Sequence, residues 1–175
     1  MENGLILVNT GNGKGKTTAA LGLCFRAIGH DMKVLMLSFI KNAQGTGEVR
    51  AAKLLGHNFK MVQLGRGFIR TQKGNFSEET IKNATESWEY AKQEIFSDEY
   101  DTIVLDEINI LIDYGLLSVE DVISVLRNKP RRLNIVLTGR NAKDQIIEIA
   151  DLVTEMKEIK HPYKKGIKAR KGIEF

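Results

Sequence analysis

The feature that most constrains this chain is a glycine-rich loop between an apolar run and a helical pattern. Residues 5–8, Leu-Ile-Leu-Val, have the length and composition of a buried strand, and residues 9–18 then read Asn-Thr-Gly-Asn-Gly-Lys-Gly-Lys-Thr-Thr. Residues 19–28 follow with a mostly apolar, helical pattern. A strand, a glycine-rich loop and a helix in this order form the context of a phosphate-binding loop.

Each residue type in the loop has a physical role in binding phosphate. Glycines let successive backbone N–H groups point into one concave site, and the start of the helix adds partial positive charge. Lys16 would bring a point charge to the terminal phosphates, and the Thr17 hydroxyl would bind Mg²⁺. The predicted ATP-binding residues of the loop are Gly11, Asn12, Gly13, Lys14, Gly15, Lys16, Thr17 and Thr18.

One position departs from the usual pattern Gly-x-x-x-x-Gly-Lys-[Ser/Thr]. Thr10 stands where the first glycine is expected, whereas Gly15, Lys16 and Thr17 fit the pattern. We therefore expect the shape of this loop to differ from that of the common one. A glycine-rich turn without a ligand is the alternative interpretation, but such a cluster of glycines and lysines does little for stability.

A second motif supplies carboxylates. Residues 102–107 read Thr-Ile-Val-Leu-Asp-Glu, an apolar strand that ends in two acids. This is the Walker B pattern, in which a carboxylate reaches Mg²⁺ directly or through water. Asp106 and Glu107 are adjacent and point in different directions, so one can hold metal while the other orients a loop. Thr17 and Glu107 are the predicted metal ligands, and Lys16 and Glu107 are the predicted catalytic residues.

Other apolar runs alternate with helical patterns along the chain. Residues 77–96 carry apolar side chains at alternating spacings of three and four, which predicts a long amphipathic helix. Ser77 and Ser118 precede acidic first turns and are the predicted N-caps. Strand-helix alternation predicts a mostly parallel sheet flanked by helices, in one domain over residues 1–175. Continuous apolar runs, typical of strands buried on both faces, lie at residues 34–40, 61–64, 103–105 and 135–137.

Composition excludes disorder and membrane spans. The chain has 175 residues, of which 42% are hydrophobic and 27% charged, as in ordinary globular proteins. No apolar run approaches the ~18 residues that a spanning helix needs. The single cysteine, Cys24, cannot form an intrachain disulfide and is interpreted as a small buried hydrophobe. With no recognisable signal peptide, we expect a cytoplasmic protein.

The excess positive charge lies in the C-terminal segment. Residues 155–175 contain seven Lys or Arg and three Asp or Glu, and the rest of the chain has equal numbers of both signs. Such a segment suits an anionic small ligand, a polyanion or a solvated tail. Aromatic residues are not interleaved with the basic ones, which disfavours nucleic acid.

Several segments together resemble one known family, the P-loop type of ATP:corrinoid adenosyltransferase. The resemblance spans nearly the whole chain, and it implies a RecA-like α/β fold, usually a homodimer. It also implies that ATP, Mg²⁺ and a corrinoid with cobalt reduced to Co(I) are used, with an electron-donating reductase or flavoprotein as a further partner. The segments that carry the resemblance are residues 10–18, 104–109, 137–140, 150–156, 159–163, 166–169 and 172–175.

The resemblance also implies a reaction. Co(I) attacks C5′ of the ATP ribose and the whole triphosphate leaves, with ATP bound in reversed orientation across the loop. Attack at carbon by such a nucleophile needs no general base, so the protein would position the reactants and stabilise the departing charge. By the family match Arg26 is a predicted nucleotide contact, with Arg140 and His161 as weaker candidates.

Two segments depart from the family pattern. Residues 41–48 lack the Trp that the family commonly shows, and residues 67–70, Gly-Phe-Ile-Arg, place Arg70 where the family has a second Trp. The resemblance implies that these aromatics exclude the lower axial ligand of the cobalt. Phe68, which is kept, and Arg70 are the predicted corrinoid-binding residues.

The sequence favours transfer of the 5′-deoxyadenosyl group of ATP to a corrinoid, in adenosylcobalamin biosynthesis or salvage. An ordinary P-loop ATPase, which would release ADP and phosphate, is the first alternative. An ATP-gated binding module for nucleic acid is the second, and it depends only on the basic ending.

Overall fold

A computed structural model describes residues 3–40, 46–65 and 75–173. Six strands form one sheet in the order β3-β2-β4-β5-β1-β6, and all neighbouring strands run parallel. Each connection between parallel strands must cross over the sheet, which places helices on its faces. The strands are Ile6–Thr10 (β1), Val34–Ser38 (β2), Phe59–Gln63 (β3), Thr102–Asp106 (β4), Asn134–Thr138 (β5) and Leu152–Glu155 (β6).

Helices cover both faces of this sheet. Alternate residues of each inner strand point to opposite faces, so Leu35 packs in one cluster of buried side chains and Met36 in the other. The first cluster includes Trp88 and Leu126, and the second includes Ala20 and Cys24. The helices are Lys16–Ile28 (α1), Gly47–Ala52 (α2), Glu78–Phe96 (α3), Ile108–Asp113 (α4), Val119–Asn128 (α5) and Asp144–Ile149 (α6), with a 3₁₀ turn at Pro162–Lys165.

The two predicted N-caps are confirmed. The Ser77 hydroxyl accepts a hydrogen bond of 3.2 Å from the backbone N–H of Thr80, and Ser118 makes the equivalent bond with Asp121. The predicted apolar stripe on α3 is buried at Ala84, Trp88, Ala91 and Ile95, but Ile81 in the first turn is half-exposed.

The five predicted strands are confirmed, with ends that shift by a few residues, but β3 is not buried on both faces as predicted: it lies at the sheet edge, and only Phe59 in it is buried. The sixth strand, β6, was missed. Every residue of β6 is exposed, including Leu152 and Val153. It lies at the sheet edge and pairs only with β1. A strand without a buried face does not require the apolar run by which the inner strands were recognised.

Two further expectations concern the burial of Cys24 and the length of the helices. Cys24 is confirmed as a buried apolar side chain, and burial raises the pKa of its thiol to about 12. In the part of the chain that the structure describes, every helix is too short or too polar to cross a membrane. That residues 1–175 form a single domain stays a prediction.

Candidate nucleotide site

The glycine-rich loop connects the carboxyl end of β1 to the first residue of α1. Gly11 and Gly15 have φ angles of 94° and 121°, a region that residues with a side chain rarely adopt. At Gly13 the neighbouring chain itself leaves no room, because a Cβ there would lie 2.7 Å from the carbonyl oxygen of Met156. The glycines are therefore required both by backbone conformation and by close packing of the segment that follows β6.

Thr10 shows how this loop differs at its first position. Its hydroxyl is buried and accepts a hydrogen bond of 3.1 Å from the backbone N–H of Ala142, in the connection between β5 and α6. A glycine could not make this contact. On the other side, the N–H of Gly13 donates to the Met156 carbonyl at 2.6 Å, and the N–H of Met156 donates to the Thr10 carbonyl at 2.9 Å. The loop is thus held by two chain segments far from it in sequence.

Lys16 lies inside the loop. Its side chain is buried, and Nζ donates hydrogen bonds of 2.7 Å to the carbonyl oxygens of both Gly11 and Gly13. Lys16 is also the first residue of α1, whose N-cap Gly15 makes no side-chain cap and whose first turn has no acidic residue. The partial positive charge of the helix start and the ammonium group therefore add at one point, as an anion site requires.

Asp106 is the buried acid of the site. Its carboxylate is only 1% exposed and lies at the carboxyl end of β4. Oδ1 accepts hydrogen bonds from the hydroxyls of Thr17 at 2.9 Å and Thr138 at 2.7 Å, and Oδ2 accepts one from Ser38 at 3.5 Å. Three strands and α1 thus supply side chains to a single polar cluster at the carboxyl edge of the sheet.

Glu107 has a different environment from its neighbour Asp106. It precedes α4 in the left-handed conformation, with φ 68°, and its backbone N–H donates to the Thr138 hydroxyl at 2.9 Å. Glu107 lines cavities beside the loop, although one of its carboxylate oxygens, Oε2, is buried. That the two acids point in different directions and that Glu107 binds the metal both stay predictions.

Two of the cavities beside the loop are both lined by Lys14, Lys16 and Glu107. The first, of about 440 Å³, extends toward α2 and the end of the described chain. The second, of about 520 Å³, extends toward α4 and includes Tyr114. Further residues of the first cavity are Gly15, Thr17, Thr18, Leu21, Glu48 and Ile173; the second also contains Asn12, Gly13, Ile110, Asp113, Arg140 and His161.

The remaining predicted residues fall in different places. Arg140 and His161 line the second cavity. Arg26 lies exposed in the last turn of α1, ten residues and about 15 Å along the helix from Lys16, and lines neither cavity, so its contact with nucleotide stays a prediction. Phe68 and Arg70 lie outside the described residues.

Sequence reasoning missed Ser38 and Thr138. Both are the last residues of apolar strands, β2 and β5, and the carboxyl ends of parallel strands meet at one edge of the sheet. A polar residue at the end of each apolar run was therefore the available signal. Thr138 lies within the segment 137–140 and Ser38 within the apolar run 34–40.

The residues present fit Mg²⁺. Among the described residues, no group of three or more His, Cys, Asp or Glu side chains is close enough together to hold a metal ion. Mg²⁺ does not need such a group, because it is commonly bound by one or two carboxylates, water and substrate phosphates. The Thr17 hydroxyl touches the Asp106 carboxylate and lines a cavity with Glu107, so hard oxygen ligands lie next to the phosphate loop.

The fold is similar to that of a solved structure, the flagellar accessory protein FlaH from Methanocaldococcus jannaschii. The TM-score is 0.56 at 13% sequence identity, over 89% of this chain and 72% of that chain. This likeness concerns the fold alone, and with the sheet described above it confirms the predicted α/β fold, a parallel sheet flanked by helices.

Sequence comparison carries the assignment further. A corrinoid adenosyltransferase of Sinorhizobium sp is 46% identical over 99% of this chain and 81% of its own length. One from Pseudomonas aeruginosa is 40% identical over 99% of this chain and 85% of its own, and one from Escherichia coli K12 is 36% identical. The family model for ATP:corrinoid adenosyltransferase BtuR/CobO/CobP matches residues 2–175. The chain therefore belongs to the ATP:corrinoid adenosyltransferase family.

Proposed function

We propose that this protein transfers the 5′-deoxyadenosyl group of ATP to the Co(I) of a corrinoid and releases triphosphate. One observation carries the proposal at the site: the buried ammonium group of Lys16 lies inside a glycine-rich loop at the start of α1. The buried contact between Thr17 and Asp106 adds oxygen ligands beside that positive charge. Family membership supplies the identity of the second substrate.

The proposed reaction requires the protein to position the two substrates and to stabilise the negative charge of the departing triphosphate. The electron pair of Co(I) forms the bond to C5′, the C5′–O bond breaks, and the triphosphate leaves with that bonding pair. No proton is transferred in this step, which fits a site whose central groups are cations, amides and metal-binding oxygens. The loop amides, Lys14 and Lys16 would stabilise the negative charge as it moves onto the leaving oxygen.

Mg²⁺ belongs to this proposal. Thr17, Asp106 and Glu107 would hold it next to the loop, and the ion would neutralise part of the triphosphate charge when bound. Asp106 enters here because its carboxylate accepts a hydrogen bond from the Thr17 hydroxyl. Together with Thr17 and Glu107, which the sequence predicts as metal ligands, Asp106 gives the proposed site two neighbouring carboxylates.

Cavities on both sides of the loop support a reaction of two substrates. Lys14, Lys16 and Glu107 form the wall that the cavities share. A triphosphate bound along that wall would leave space on either side for the nucleoside and for the corrinoid. Phe68 and Arg70 remain the proposed corrinoid contacts on the basis of the family pattern.

A homodimer and a reductase complete the proposal. The family resemblance supports the dimer, and the C-terminal segment exposes large apolar side chains at Ile159 and Tyr163. The cobalt must be reduced to Co(I) before it can attack carbon, so we propose an electron-donating reductase or flavoprotein as the source of the electron. Both partners are proposals for this chain.

The decisive experiment identifies the phosphate product. The protein is incubated with ATP, Mg²⁺ and a chemically reduced corrinoid, and the products are followed by ³¹P NMR and by the light-sensitive absorption of the adenosylated corrinoid. Intact triphosphate should form one-for-one with that corrinoid. A reaction without corrinoid is the control and should release no phosphate product. ADP and phosphate formed in place of triphosphate would establish the ATPase alternative.

A further inference from the structure

We propose that Thr138 is a positioning residue that orients both acids at the end of β4. Thr138 lies at the end of β5, the strand between β4 and β1, and it touches neither cavity beside the loop. It would act through Asp106 and Glu107, and its effect on the reaction rests on the proposed function.

The hydrogen bonds of Thr138 have a defined direction. A hydroxyl has one proton to donate, and the acceptor here, Oδ1 of Asp106, is 2.7 Å away. The same hydroxyl oxygen accepts a bond of 2.9 Å from the backbone N–H of Glu107. One small group therefore connects the side chain of the first acid to the backbone of the second.

Burial makes these two bonds difficult to replace. Thr138 has no exposed surface, and Asp106 is 1% exposed. Water cannot easily take the place of a hydroxyl removed from such a position, so the N–H and the carboxylate oxygen would each lose a partner. Asp106 would keep its hydrogen bonds from Thr17 and Ser38. We therefore expect the carboxylate to shift its position and not to lose all its partners.

The conformation of Glu107 shows why its backbone needs a fixed partner. Its φ of 68° lies in the left-handed region, which a non-glycine residue adopts only when its surroundings impose it. The residue after Thr138 adds to this constraint. A Cβ at Gly139 would lie 3.0 Å from the Cβ of Asn109 and 3.2 Å from its backbone nitrogen, so the end of β5 packs directly on the start of α4.

These contacts fix the position of the Glu107 backbone. Thr138 accepts a hydrogen bond from the N–H of Glu107, and α4 begins at the next residue, Ile108. Gly139 allows the start of α4 to approach the end of β5 closely. Glu107 thereby lines the cavities beside the loop, while the Asp106 carboxylate contacts Thr17. Loss of the Thr138 hydroxyl should therefore make the positions of Asp106 and Glu107 less well defined.

The test compares three substitutions of Thr138. Thr138→Val keeps the shape and removes the hydroxyl, Thr138→Ser keeps the hydroxyl, and Thr138→Cys retains a weak donor of similar size. Thr102→Val is the matched control, because it makes the same change at a buried position at the amino-terminal end of β4, away from the loop. Circular dichroism and thermal unfolding check that each variant is folded.

Three measurements follow on the folded proteins: Mg²⁺-dependent ATP binding by calorimetry, the Mg²⁺ dependence of adenosyl transfer, and hydrogen exchange of the Glu107 amide without nucleotide. Thr138→Val should raise the Mg²⁺ requirement about tenfold or more, the range found for residues that orient metal ligands. It should also speed exchange of the Glu107 amide. Thr138→Ser should recover most of both properties, with Thr138→Cys between the two, and Thr102→Val should behave as wild type.

The outcomes separate this proposal from the function on which it rests. Unchanged Mg²⁺ dependence and unchanged amide exchange in folded Thr138→Val, or in Thr138→Cys if the valine variant does not fold, would overturn the positioning role. A general loss of rate in Thr138→Val with wild-type Mg²⁺ dependence would overturn it as well. If the wild type instead releases ADP and phosphate, the proposed function fails, while the exchange of the Glu107 amide still tests Thr138 directly.

Discussion

The hydroxyl of Thr17 donates a hydrogen bond of 2.9 Å to Oδ1 of Asp106, across 89 residues of sequence. Thr17 lies in the first turn of α1, which follows β1, and Asp106 ends β4; in the sheet, β5 separates β1 from β4. Thr17 reaches over β5 from the start of α1, and Thr138 at the end of β5 contacts the same carboxylate oxygen. The phosphate loop and the acidic strand are therefore joined at one buried carboxylate.

Substitution of Lys16 tests the loop as the phosphate site. We expect Lys16→Ala to slow adenosyl transfer by roughly 10²-fold or more, comparable to the loss of one preorganised electrostatic donor. Single-turnover rates at saturating ATP measure this directly. Lys82→Ala, on an exposed part of α3, is the control for loss of a lysine and should leave the rate unchanged. Turnover near the wild-type rate in folded Lys16→Ala would place the reacting phosphates elsewhere.

Substitution of Glu107 tests the acid that lines the cavities. Glu107→Gln keeps the size and removes the charge, so the Mg²⁺ concentration at half-maximal rate should rise. A rise of roughly tenfold would correspond to about 1.4 kcal/mol of lost ion binding. Titration of Mg²⁺ at fixed ATP gives the value, with the exposed Glu99→Gln as the control. An unaltered Mg²⁺ requirement would contradict a role of Glu107 in binding Mg²⁺ and would leave Asp106 as the proposed acidic ligand.

The buried thiol of Cys24 gives a prediction about accessibility. Burial raises its pKa to about 12, so at pH 8 the thiol is protonated and enclosed by the core beneath α1. Since the thiolate is the reactive form, a thiol reagent should modify the native protein at least roughly 100-fold more slowly than the urea-unfolded chain. Rapid modification of the folded protein, at a rate that follows an ordinary cysteine titration near pH 8.5, would contradict this burial.

Arg70 gives a prediction about the corrinoid, from the sequence pattern alone. An arginine is cationic and strongly solvated, so it should stabilise a corrin face without its lower ligand less well than a tryptophan would. It could instead pair with a carboxylate of an incomplete corrinoid. With cobalt supplied as Co(II) and a reductant, we expect higher kcat/KM for a corrinoid that lacks a bound lower base than for complete cobalamin.

The substitution Arg70→Trp should narrow that preference. When cobalt is supplied as Co(I), which holds no lower ligand, the difference between the two corrinoids should largely disappear. The comparison therefore uses both corrinoids, both cobalt states and both proteins. Equal kcat/KM values for wild type under Co(II) conditions, unchanged in Arg70→Trp, would exclude a role for this residue in corrinoid choice.

Local patterns in the sequence were sufficient for much of the fold. The inner strands can be recognised in the sequence because burial on both faces requires continuous apolar runs, as in β2, where every residue is buried. The caps at Ser77 and Ser118 are equally local, since a cap and the N–H that it accepts are three residues apart. The glycine-rich loop is local too, because its glycines, Lys16 and Thr17 act within a few residues of one another.

Only the tertiary structure assigns Thr10 and Thr138 their partners. Thr10 meets Ala142 across 132 residues, and Thr138 meets Asp106 across 32 residues. Such contacts leave no period or motif in a sequence, because they depend on the order in which the strands lie in the sheet. The edge strand β6 is a similar case, since without a buried face its residues need no apolar run. The chain's local chemistry thus predicts a nucleotide loop, and the sheet order decides which distant hydroxyls hold its acids in place.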